Sequence, residues 1–235
     1  MENLPIYLNI LFVSTVIMTL IFLYRILTDE LPKRIVNIII MVTLIWCVIQ
    51  FTLAQSGFYM EKLNQLPPRL AFFGVLPLVL FMIFCFWSRG VRKLIAKLSM
   101  KRLVAMSIVR IPVEITLFGL AMHKAIPTIM SFEGWNFDIV AGIFALGMMF
   151  LLKFDSRRAR VIIWTWNIMG TFLLAVIIAI AFLSAPFPLQ RLAFDQPNIA
   201  LLHAPFVLLP TFVAPMVLFS HFIVFQKLRG GDALI

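Results

Sequence analysis

LVAMSIVRIPVEITLFGLAM, residues 103–122, carries two charged side chains, Arg110 and Glu114, in an otherwise uncharged run. A run of about 20 mostly apolar residues is what an α-helix needs to cross a bilayer. Four residues apart, Arg110 and Glu114 share one helix face. Glu114 lies about 11 residues into the span, roughly 16 Å deep at 1.5 Å per residue, which is close to the midplane. A charge at that depth costs at least ~2.5 to 3.5 kcal/mol on insertion scales, so it faces the bundle interior or a watery cavity. Pro112 removes a backbone donor and frees the carbonyl of Ile108 as a second acceptor for Arg110. Two readings of the pair stand side by side: an ion pair that locks this helix into a bundle, and a substrate or proton site.

The composition agrees with lipid as the solvent. Hydrophobic residues make up 63% of the 235, charged residues only 13%, and Phe alone numbers 24, with a mean hydropathy of +1.05. That leaves too little polar surface to coat a water-soluble globule. Seven stretches qualify as spans, at 5–27, 35–59, 69–88, 103–123, 138–152, 160–183 and 199–226, so the expectation is an all-α, polytopic seven-helix bundle forming a single transmembrane domain over 1–235. The fifth span is short and draws on Phe137 and its neighbours to cross.

Short loops rich in Lys and Arg stay cytoplasmic. Taking alternate loops together puts 15 Lys and Arg on one side and only Lys62, Arg69, Lys124 and Arg191 on the other. The N-terminus is therefore expected outside and the C-terminus in the cytoplasm, in the multi-pass manner of an inner-membrane protein. The net charge of +10 expresses this bias and an attraction to anionic lipid headgroups on the cytoplasmic side, not nucleic acid binding. Met1 to Ile6 has no basic residue and no small-residue cleavage site follows, so the first apolar stretch is expected to be retained as a helix. Residues 89–102 set Val91, Leu94, Ile95 and Leu98 against Arg92, Lys93, Lys97 and Lys101, the pattern of a short helix lying in the headgroup region.

Other polar residues within spans read first as ties between helices. Trp164, Asn167 and Thr171 form a stripe at helical spacing, with Asn167 at a depth similar to Arg110, and Gln50 and Gln55 take the same reading. Cys47 and Cys85 fall inside spans as packed free thiols. Pro77, Pro112, Pro205, Pro210 and Pro215 bend their helices, the last one most. His203 and His221, 18 residues apart, would share one face of an ideal helix about 27 Å from each other. That separation excludes a shared metal, and no metal or cofactor motif is present. Glu114 and His221 remain candidates for a proton relay. No P-loop, His-Glu-x-x-His or Gly-x-Ser-x-Gly sequence occurs.

The outer loops mix aromatic residues with carboxylates and amides, in Ser131-Phe-Glu-Gly-Trp-Asn-Phe-Asp138 and Ser184-Ala-Pro-Phe-Pro-Leu-Gln-Arg-Leu-Ala-Phe-Asp-Gln-Pro-Asn198. Asp138 and Asn198 are placed to cap the helices that follow them. Glu133, Asp195 and Gln196 have no such role. The two loops are expected to pack against each other as a lid, with Arg191 bridging Glu133 and Asp195. Together with Arg-Ile-Pro-Val-Glu (110–114) and the proline-rich last span, these loops resemble a group of small, uncharacterised bacterial seven-helix membrane proteins over nearly the whole chain. The resemblance implies the membrane fold and brings no activity, cofactor or site.

The residues lead to an outward-facing polar pocket that transports or binds a small solute or ion. Arg110, Glu114 and Asn167 lie within it, and Glu133, Asp138, Asp195 and His203 line its entrance. In a carrier Glu114 is the coupling carboxylate. Two alternatives are a non-transporting sensor or assembly subunit, whose ion pair only specifies packing, and a membrane enzyme with an outer acid, base or metal site built from Glu133, Asp195, His123 and His203.

Overall fold

A computed structural model describes residues 4–28, 30–154 and 156–230, and every regular element among them is helical. The chain termini, whose sidedness the charge rule assigns, lie outside the described residues. The helices are α1 (Ile6–Thr28), α2 (Lys33–Gln55), α3 (Leu70–Trp87), α4 (Arg89–Lys97), α5 (Met100–Met122), α6 (Asp138–Leu151), α7 (Arg157–Leu183) and α8 (Leu209–Gly230). All but α4 and α6 are long and apolar enough to cross a membrane.

The last span departs most from expectation. A helix was expected from 199, yet Ala200–Leu202 forms only a 3₁₀ turn and α8 begins at Leu209, through a π-helical turn. Pro205 and Pro210 each withhold a backbone donor, which a continuous ladder through 199–210 cannot absorb. Irregular backbone at membrane depth is tolerated where protein surrounds it, and Leu201, Leu202, Phe206, Val207 and Leu208 are all buried. Their contacts reach α1, where the rings of Phe12 and Phe206 lie 5.3 Å apart.

The prolines of α3 and α8 also explain how α2 is held. Pro77 leaves the carbonyl of Phe73 without its helical donor, and Nε2 of Gln50 supplies one at 3.2 Å. Pro215 does the same to Thr211, whose carbonyl accepts from Nε1 of Trp46 at 2.8 Å. The Tyr59 hydroxyl in turn donates to Oε1 of Gln50. Each freed carbonyl is thus met by a side chain of one neighbouring helix. Gln50 ties helices as expected; Gln55, at the end of α2, is exposed and ties no helix among the described residues.

α5 runs through the middle of the bundle. Gly119 gives it a close approach to Leu8 of α1, where a Cβ would collide with the leucine. Gly142 does the same for α6, since a Cβ there would stand 3.0 Å from the carbonyl oxygen of Ser107 and 3.1 Å from Cβ of Arg110. α4 turns its basic residues Arg92, Lys93 and Lys97 outward and buries Ile95 and Leu98. Nζ of Lys227, near the end of α8, donates to the carbonyl of Ala96 at 2.5 Å, the favourable place for a cation at a helix C-terminus.

Candidate functional site

Arg110 sits where α5, α6, α7 and α8 converge, and it is almost wholly buried. Its first turn of surroundings is set by a 3₁₀ segment, Met106–Val109, that tightens α5 just before it. Nη1 donates to Oδ1 of Asp138 at 2.7 Å and to the carbonyl of Gly170 at 3.0 Å. Nη2 lies 2.7 Å from Nε2 of His221. The expected partner, Glu114, makes no salt bridge with it among the described residues, and the Ile108 carbonyl is not its second acceptor. Asp138 takes the first role and Gly170 the second, because the guanidinium points away from its own helix toward α6 and α7.

The hydrogen-bond pattern assigns the tautomer of His221. Nδ2 of Asn167 donates to the backbone carbonyl of His221 at 3.1 Å, which turns Oδ1 of the same amide toward Nδ1 of the ring, 2.6 Å away. An amide oxygen only accepts and a guanidinium only donates. Nδ1 therefore carries the ring proton and Nε2 offers its lone pair to Arg110, with the Ser107 hydroxyl 3.4 Å from the same nitrogen. Gly170 makes the arrangement possible, since a Cβ on it would stand 2.9 Å from Cε1 of His221. The indole of Trp166, 5.4 Å from the imidazole, fixes the other flank and donates to the Ala141 carbonyl at 3.0 Å.

Glu114 belongs to a second, adjoining cluster. Its Oε1 accepts from Nδ2 of Asn136 at 2.5 Å, and the same amide nitrogen reaches the Met130 carbonyl at 3.0 Å. Oδ1 of Asn136 accepts from the backbone amide of Asp138 at 3.0 Å. Asn136 thus caps α6, the role expected of Asp138, and frees the Asp138 carboxylate for Arg110. Asn198 likewise does not cap the helix that follows it. Its side chain donates to the Ala181 carbonyl at 3.1 Å and its backbone amide to the Ser184 carbonyl at 2.8 Å, closing the C-terminal end of α7.

Beside these clusters lies a cavity of about 520 Å³ between α3, α5, α7 and α8. Its walls are overwhelmingly apolar, with Leu117, Leu174 and Val213 typical, and its polar members are Arg110, Glu114, Asp138 and Asn198. Exposed residues of α7, among them Ala175, Ile178 and Ala179, also line it, so it reaches the outer flank of the helix bundle. Three polar atoms of its lining residues are buried without a hydrogen-bond partner among the described residues: Nε of Arg110, Oε2 of Glu114 and Oδ1 of Asn198.

Of the residues read from the sequence as one pocket, Arg110, Glu114 and Asp138 line this cavity, and Asn167 stands behind Arg110 with His221, the relay candidate. Glu133 and Asp195 are exposed on the loops, and His203 is half-buried in the turn before α8 rather than on its helix. None of these three lines the cavity. Among the described residues Arg191 bridges no carboxylate, and its Nη1 donates only to the neighbouring Gln190 carbonyl. The second outer loop is joined by neutral contacts to residues 125 and 126, ahead of the first outer loop. Gln196 donates to the Ile126 carbonyl, and the amide of Ala200 donates to Ala125 at 3.1 Å. Phe187 is buried there, whereas Phe132, Trp135, Phe137 and Phe194 remain exposed. Among the described residues no three His, Cys, Asp or Glu side chains converge as a metal site. Asn136 was the residue missed, although an Asn two positions before the acidic start of an apolar helix is a capping signal.

Residues 67–229 match the model of a domain of unknown function (DUF8737). No curated protein and no solved structure matches the chain. The matched region takes in α3 through most of α8, with every member of the Arg110 and Glu114 clusters, and leaves α1 and α2 outside.

Proposed function

The chain belongs to the DUF8737 family, and we propose that this member is a seven-span membrane protein that binds a small molecule in the cavity beside Arg110 and Glu114. The observation that carries the reading is the set of unpartnered polar atoms on an otherwise apolar cavity. A buried polar atom without a partner costs about 1 to 3 kcal/mol, a cost that a bound ligand would relieve. Concave, mostly apolar sites with a few convergent polar groups are the usual form of a small-molecule site. If the protein moves its ligand across the membrane, Glu114 is the coupling carboxylate.

The seventh span in this reading is α6. Its 14 residues rise about 21 Å, less than the ~30 Å hydrocarbon core, and the exposed apolar side chains Ile143, Phe144, Leu146 and Phe150 support its contact with lipid. The basic-residue bias then sets the N-terminus outside and α4 against the cytoplasmic face of the inner membrane, in contact with anionic headgroups. A Cys at Lys93 should resist a membrane-impermeant maleimide in intact cells and a Cys at Glu133 should react; the reverse pattern removes the orientation.

Binding is tested by native mass spectrometry of the protein extracted in mild detergent. A one-to-one small-molecule adduct is expected on the wild type and should be lost from Ala179→Trp, which fills the flank of the cavity from an exposed position. A wild type that carries no adduct and is not stabilised by total lipid extract would overturn the reading. A second reading, a packing tie in a sensor or assembly subunit, is favoured by Arg110's contacts to three helices, at Asp138, Gly170 and His221.

A further inference from the structure

We infer that the cavity selects a lipid-soluble molecule bearing a hydroxyl group, an inference that rests on the binding reading above and names the chemistry of its ligand. Two constraints lead to it. The cavity is walled almost entirely by apolar side chains and reaches the lipid-facing flank of α7 at Ala175, Ile178 and Ala179. A ligand therefore enters from the hydrocarbon phase, and most of its surface is apolar.

The polar end must satisfy atoms of opposite need. Oε2 of Glu114 and Oδ1 of Asn198 accept hydrogen bonds, and Nε of Arg110 donates one. A carboxylate or phosphate head brings acceptors only and leaves both oxygens unmet. An ammonium head brings donors only, leaves the charged guanidinium's Nε unmet and sets a second cation beside it. A hydroxyl donates once and accepts, so a single group answers Glu114 and Arg110 together.

Within the cluster Asp138 is already joined to Arg110, and Glu114 is held only by Asn136. Glu114 is thus the acceptor left for the ligand, and the hydroxyl hydrogen goes to its Oε2.

The test uses the full chain in lipid nanodiscs and three radiolabelled probes of equal chain length: hexadecan-1-ol, hexadecanoic acid and hexadecylamine. The alcohol should bind saturably, with one site per chain and an affinity at least about tenfold above the acid and the amine, a difference of about 1.4 kcal/mol. Glu114→Leu should abolish this preference. Ala179→Trp, which leaves the polar cluster untouched, should weaken all three probes alike and keeps the test independent of how Glu114→Leu folds. An acid or amine that binds as well as the alcohol overturns the assignment, as does a folded Glu114→Leu variant that keeps the preference. Failure of all three probes on a protein that still carries its own one-to-one adduct overturns the hydroxyl chemistry and leaves the binding reading intact. Failure of the probes together with absence of any adduct removes both.

Discussion

α5 and α2 are equally long, 23 residues each, yet 72% of the most apolar stretch of α5 is buried in the protein against 17% for α2. The same low share holds for α3. Lipid tails are as apolar as leucine, so apolar area by itself does not draw one helix to another in a membrane. The two regions answer this in different ways. α5 is fixed by a charged network that reaches α6, α7 and α8, with glycines at 142 and 170 allowing the close approach. α2 is fixed at a few neutral points, chiefly Gln50 and Trp46 on carbonyls that prolines had freed. Irregularity in one helix thus becomes the attachment point of another.

The comparison predicts a graded response to mutation. Arg110→Ala should have the largest effect, since it strands the buried carboxylate of Asp138, and removing one partner of a buried ion pair typically costs about 3 to 5 kcal/mol. Thermal unfolding of purified protein in detergent should show the loss, and the double variant Arg110→Met with Asp138→Leu should recover a large part of it. A double variant as unstable as Arg110→Ala would mean that the contacts to His221 and Gly170, not the ion pair, hold α5. A double variant that recovers stability but loses its adduct would separate binding from packing.

At the other end, Gln50→Leu and Trp46→Phe should each cost on the order of 0.6 kcal/mol and at most about 1.7, the range measured for neutral hydrogen bonds between membrane helices. Unfolding in the same detergent reads both changes. Their combination should depart from additivity, because Trp46 and Gln50 are one turn apart on α2 and Gln50 and Thr211 both pack against Gly74. A loss from either single variant comparable to Arg110→Ala would erase the distinction between core and periphery.

Most of the helices were legible as runs of apolar residues, and the failures are local. The stretch 199–208 is apolar enough to read as the start of a span, and hydropathy does not register that Pro205 and Pro210 deny it a ladder. Arg110 and Glu114 stood out correctly as residues without a place in lipid, but helical spacing paired them with each other. Spacing along one helix describes neighbours on its surface; it is silent on which way a long side chain turns. The outer loops are read through their charges, whereas the second is held to residues 125 and 126 by backbone groups and the amide of Gln196.

What the sequence determined alone is the helical class and the presence of two charges inside an apolar run, because the length of an apolar run and the cost of a buried ion depend only on local composition and the solvent. Tertiary structure decided the partners. Asp138 takes Arg110 and Asn136 takes Glu114 because residues far apart in the chain converge where four helices meet, and that convergence follows from close approaches at Gly142 and Gly170 that no single helix specifies. The cavity is of the same kind: its walls come from α3, α5, α7 and α8, and its unmet atoms exist only because those walls exclude the neighbours that would otherwise meet them.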